Sequence, residues 1–205
     1  MLAIGHFALG YLTGKATSKL AHVKINLPLL LAISVIPDMD LLFSGFMDHR
    51  GLTHSIIVIS IFAVPFFAKY KKAILPYLTA LLSHIFLGDL FTGGIEFLWP
   101  ILKTRIGFDL AVQSLPVSTI EISLFCISLV AMYKLNDLQT LFKPGNRNLF
   151  MILCVGAILG SVTFLLFIPE LIWLVIFSYS ILLELKFKLI KLINKENRKE
   201  IKIRA

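Results

Sequence analysis

Four of the five histidines in this 205-residue chain fall in clusters of metal-ligand residue types, and each cluster lies in or beside an apolar segment. The clusters are His6, then Pro37-Asp38-Met39-Asp40, then His49-Arg50-Gly51-Leu52-Thr53-His54-Ser55, then Ser83-His84 with Asp89. An ionisable side chain costs about 2.5–3.5 kcal/mol on membrane-insertion scales, so scattered imidazoles and carboxylates are expected to gather into one site. Imidazole with carboxylate, and no thiolate, suits zinc, manganese or iron. Enough ligand types are present for more than one ion, and paired ions suit phosphoester displacement by activating a water and stabilising the leaving oxygen. Arg50, between the two loop histidines, is a candidate clamp for a phosphate oxygen. Pro37 breaks the helix, which would let Asp38 and Asp40 face one cavity; Asp38 is the firmer ligand of the pair, whereas Asp40 either caps a helix or orients a ligand. Thr53, Ser55 and Ser83 adjoin proposed ligands and are candidate hydrogen-bond partners for them. Glu121 offers a further ligand or base or, more simply, a helix N-terminal charge.

Elements that hold such residues must cross lipid. The chain is 58% hydrophobic and 16% charged, with mean hydropathy +0.87, which excludes an ordinary soluble domain. Apolar segments run roughly 2–18, 25–46, 55–68, 73–91, 118–133, 148–168 and 170–190. The expectation is an all-α, multi-pass integral membrane bundle of about seven transmembrane helices. It forms one domain: 1–105 carry the site, 106–190 supply supporting helices and 191–205 form a basic tail. The first segment reads as a retained helix rather than a cleaved signal peptide.

Net charge is +8. The bases alternate between loops so that only Arg50, Lys103 and Arg105 fall on one side, which predicts N-out, C-in and puts the clusters on the outer side. His22 falls among the inner lysines. This pattern accounts for the positive charge without nucleic acid. Cys126 and Cys154 sit in apolar runs and read as small buried hydrophobes. At about 1.5 Å per helical residue, His6, Asp38 and His84 stand roughly 20, 21 and 18 Å above the inner lysines. His84 and Asp89 are five apart, about 140° around an ideal helix, so their meeting requires a distortion permitted by Gly88 or a frayed helix end at Asp89.

No P-loop, nucleophile elbow or zincin signature is present. The ordered set does resemble a family. His6, Pro37 to Asp40, His49 to Ser55, Ser83-His84 with Asp89, Thr92, Gly94 and Trp99-Pro100 are similar to the YdjM-type membrane-bound metal-dependent hydrolases. The likeness covers about residues 1–105. The family is similar in turn to zinc-dependent phospholipases C. That resemblance implies His6, Asp38, His54, His84 and Asp89 as metal ligands, with His49 a weaker sixth, and one to three zinc ions. Gly88 and Phe91 depart from the family pattern and are expected to bear on substrate fit. The implied function is hydrolysis of a lipid-linked or envelope phosphoester at the outer face of the cell membrane, with membrane lipids as partners and Arg50 and Asp40 assisting. The alternative is a non-catalytic metal-binding membrane protein or ion transporter.

Overall fold

The structure, a computed structural model, describes residues 1–43 and 49–142. The regular elements among them are all helical, with no extended strand. The helices are α1 (Ala3–Leu20), α2 (Leu27–Ile33), α3 (Ile56–Tyr70), α4 (Leu75–Ser83), α5 (Leu115–Lys134) and α6 (Asp137–Phe142). Short 3-10 turns cover Ile36–Phe43, Leu52–His54 and Lys71–Ile74, and a π-helical turn, His84–Asp89, continues α4.

The all-helical expectation holds, but the elements are shorter and more broken than seven uniform spans. Among the described residues only α5 is both long and apolar enough to cross a membrane as one helix. The 25–46 segment is interrupted, as Pro37 leads one to expect. Here α2 ends at Ile33, a turn follows, and Pro37 sits inside the 3-10 turn that carries Asp38 and Asp40. Proline restricts the residue before it and removes an amide donor, so a break here is expected. The 148–168 and 170–190 segments and the basic tail lie outside the described residues.

The core is the packing of α1 against α2, α4 and α5. Phe7, Tyr11, Leu30, Leu31, Ala80 and Met132 form its buried centre. Gly10 permits the closest approach, because a side chain there would run into Ser34. A smaller cluster, Ile59, Ile85 and Ile95, packs α3 and the π-turn against the following loop. Ser55 begins α3: its hydroxyl accepts from the amides of Ile57 and Val58, at 3.2 and 3.5 Å, and donates to the Trp99 carbonyl at 2.6 Å. Residues 92–109 form an irregular antiparallel ribbon, joined at Thr92 with Asp109 and at Ile95 with Ile106.

Candidate metal centre

Four stretches of chain meet above the core. α1 brings His6, the 3-10 turn brings Asp38 and Asp40, the next loop brings His49, Arg50 and His54, and the π-turn brings His84 and Asp89. His6, His54, His84 and Asp89 are buried, and Asp38 is partly open.

The π-turn resolves the spacing difficulty of His84 and Asp89. Its wider register is closed by the Leu90 amide donating to the Ile85 carbonyl, five residues back, at 3.0 Å. His84 Nε2 therefore lies 3.3 Å from Asp89 Oδ2 and also 3.3 Å from Asp38 Oδ1. His6 Nε2 lies 3.5 Å from Asp89 Oδ1 and 3.8 Å from Asp38 Oδ2. The His6 and His84 rings are stacked, with centroids 3.6 Å apart. Gly88 bears on this stack rather than on the open edge, correcting the expectation of an effect on substrate fit. A Cβ there would sit 2.5 Å from His6 Cε1 and 2.8 Å from its Nδ1.

His84 and His54 are aimed from behind. His84 Nδ1 is 2.8 Å from the Ser34 carbonyl, so that nitrogen donates and Nε2 turns inward. Asp40 holds the loop. One of its oxygens accepts from His49 Nδ1 at 2.9 Å; the other accepts from the Arg50 amide at 3.1 Å and the Thr53 hydroxyl at 2.7 Å. That second oxygen also lies 3.4 Å from His54 Nδ1, which is 2.9 Å from the Thr53 hydroxyl. His54 Nε2 then faces Asp89 Oδ2 at 2.8 Å and His84 Nε2 at 3.3 Å. Burial lowers the His54 imidazole, but the surrounding carboxylates of Asp38, Asp40 and Asp89 outweigh it and raise its pKa to about 10.

The residues fit a divalent cation. One ligand atom from each of His6, Asp38, His84 and Asp89 lies within 4.8 Å of the others. Tetrahedral zinc with bonds near 2.0–2.1 Å sets ligand atoms roughly 3.4 Å apart, the scale of the separations here. Both His6 nitrogens and Asp89 Oδ2 are buried without a hydrogen-bond partner; Asp89 Oδ2 is near His54 Nε2 but lacks hydrogen-bond alignment. Unpartnered buried polar atoms are costly, and a shared cation would satisfy one His6 nitrogen together with the Asp89 carboxylate. Asp38, Asp40 and His49 form a second, more exposed group that shares Asp38 with the first.

Some candidates sit differently from expectation. Arg50, in the left-handed region at φ 71°, directs its guanidinium to the Thr92 carbonyl and hydroxyl, to His49 Nε2 and to Asp89. Both His49 nitrogens thus already have partners, Asp40 and Arg50. Thr53 contacts the ligand-bearing loop as expected, but Ser83 bonds the Ala80 carbonyl and Ser55 serves as a cap. Glu121 lies beyond the first turn of α5, so the helix-end reading fails; it is buried and accepts the Leu2 amide at 2.7 Å. Cys126 is exposed, not buried. Ser34 was not legible as a participant, since it acts through a backbone carbonyl. Thr92 stood only as part of the quoted pattern.

The family described as YdjM inner membrane protein matches residues 1–171, well beyond the motif-bearing half. The chain belongs to the YdjM inner membrane protein family. As a YdjM-family member it is a membrane protein, and its His and Asp residues form a group able to hold a metal ion. Neither a curated protein nor a solved structure matches the chain.

Proposed function

We propose that this YdjM-family chain is a metal-dependent phosphoesterase acting on a lipid-linked or envelope substrate at the outer face of the membrane. The observation that carries the reading is the convergence of His6, Asp38, His84 and Asp89, with both His6 nitrogens buried and without a hydrogen-bond partner. The proposed ligands are these four with His54, and the second group around His49 is the place for a further ion. A zinc-type ion bound there supplies a more acidic water and stabilises charge on a phosphoryl oxygen.

The protein groups around it have separate tasks. His84 and His54 are oriented by Ser34 and by Asp40 with Thr53. Arg50 fixes the ribbon to the site through Thr92 and keeps positive charge beside Asp89. Asp38 and His49, 21% and 32% exposed, form the open edge through which a substrate phosphate would approach.

A transporter reading is less well supported. Inward of the site the packing of Phe7, Leu30 and Ala80 is apolar, and the ionisable groups beyond it, Asp137 and Lys15, pair with each other, Asp137 also accepting from the Tyr11 hydroxyl. The wider topology proposed is a bundle of about seven crossings, N-out and C-in, with the site on the outer side.

Elemental analysis of the purified protein tests the reading, alongside an Asp38→Ala, His84→Ala double variant. Stoichiometric metal in the wild type and its loss from the variant are expected, together with metal-dependent release of phosphate-bearing headgroups from lipid substrates. Equal metal in both proteins would sink the site. Metal binding without any phosphoester cleavage would leave the binding-protein reading.

A further inference from the structure

The ribbon beside the site carries a surface unlike that of a solvated loop. Residues 100–111 are all exposed. Among them Ile101, Leu102, Ile106, Phe108 and Leu110 are 75, 48, 51, 60 and 45% exposed, with Lys103 and Arg105 interleaved. A soluble loop rarely displays so much contiguous apolar side chain. Apolar side chains alternating with bases match the boundary between acyl chains and anionic headgroups, where apolar groups bury and bases meet phosphates.

The ribbon's backbone suits that depth. Irregular backbone is excluded from the hydrocarbon centre unless its polar groups are satisfied. Here amides and carbonyls are paired across the ribbon between Ile95 and Ile106 at 3.0 and 2.9 Å, between Gly93 and Phe108 at 2.8 Å, and between Phe108 and Leu90 at 2.7 Å. Its base is fixed to α3 by the Ile56 amide on the Phe97 carbonyl, at 3.1 Å, and by Ser55 on Trp99.

The ribbon is also bound to the site's rim. The Glu96 amide donates to the Arg50 carbonyl at 3.0 Å, and Arg105 Nη2 reaches the His49 carbonyl at 3.5 Å. A phosphate held by Lys103 and Arg105 would therefore lie next to the open edge at His49. We propose that the 100–111 ribbon is a lipid-interface element: its apolar residues insert at the headgroup–acyl boundary of an anionic phospholipid leaflet, and its bases hold lipid phosphates beside the metal centre. The inference rests on the membrane reading of the chain, not on metal binding or hydrolysis.

The test uses the full chain with Cys126 and Cys154 replaced by Ala, labelled with an environment-sensitive fluorophore at Phe108→Cys or, as a control, at Ile127→Cys on the exposed face of α5. Both are reconstituted into vesicles of phosphatidylcholine with or without phosphatidylglycerol. The Phe108 label is expected to emit to the blue of its position in denaturant. It should be quenched more by lipids brominated near the glycerol end than by those brominated near the chain terminus, and several-fold less by aqueous iodide than when denatured. Lys103→Ala with Arg105→Ala should reduce the shift in the phosphatidylglycerol vesicles only. A water-like Phe108 label beside a lipid-quenched Ile127 label would overturn the ribbon's role while leaving the membrane reading intact. Water-like signals at both positions would overturn the membrane reading itself. A Phe108 signal that vanishes on dilution of protein into lipid would assign the surface to contact between copies and also overturn the proposal.

Discussion

His84 and Asp89 are five residues apart, yet His84 Nε2 lies 3.3 Å from Asp89 Oδ2 because the chain between them is a π-turn. An α-helix would swing the two side chains apart, whereas five residues complete a closed turn in the wider π register. His6 stacks on this turn over Gly88. The local backbone irregularity is therefore part of the ligand geometry.

Gly88→Ala is expected to displace the His6 ring. Overpacking a tight site costs about 1–3 kcal/mol, so metal affinity should fall about tenfold or more. Chelator competition measures the affinity, and unchanged helical circular dichroism would separate the effect from unfolding. Unaltered affinity would remove His6 from the ligand set.

Asp40→Asn presents an amide N–H where His49, His54, Thr53 and the Arg50 amide need an acceptor. Loss of such supporting bonds typically costs about 10–100-fold in metal affinity. The same substitution should alter the visible absorption of a cobalt-loaded protein, since it reorients His54. A change in stability with an unchanged cobalt spectrum would assign Asp40 to folding alone.

The His54 imidazole, raised to about 10, carries a proton at neutral pH. A cation that takes Nε2 must displace it. The sign follows: protons compete with metal throughout the range below about 10, so binding tightens as pH rises, by up to about tenfold per unit for each proton released. Calorimetry at pH 7.5 in buffers of different ionisation enthalpy would report the proton. His54→Ala should lower the number released. Equal release by wild type and variant would show that His54 is not displaced.

Ser55→Ala removes both the cap of α3 and the hydroxyl bond to the Trp99 carbonyl. Loss of a serine cap costs about 1 kcal/mol, and the ribbon's base is released as well. Thermal unfolding in detergent should fall by a few degrees. Faster protease cleavage within 100–105, with the core still intact, is the expected accompaniment.

Residue chemistry made the site legible because lipid penalises isolated ionisable groups, so His and Asp residues spread over several apolar segments are stable there only when they meet. The helical class followed from hydropathy for a related reason, since backbone in lipid must satisfy its own polar groups. Geometry was less accessible. The break at Pro37 was legible because proline disrupts a helix, but the end of α2 at Ile33 and the 3-10 form of the turn that brings Asp38 to His6 and His84 were not. Gly88 hinted at a distortion between His84 and Asp89 but not at its π register, and the Ser34 carbonyl left no side-chain signal because it acts through the backbone. Arg50 read as a free phosphate clamp, but neighbours fixed only by folding engage its guanidinium.

The four stretches that meet at the site run from His6 to Asp89, and the last to be synthesised is the π-turn. A growing chain therefore cannot offer the complete ligand set until the α4 stretch has been made and brought beside α1. An ion held by this set would be loaded only after α4 has been made and packed beside α1, although residues 90–205, more than half of the chain, are still to follow.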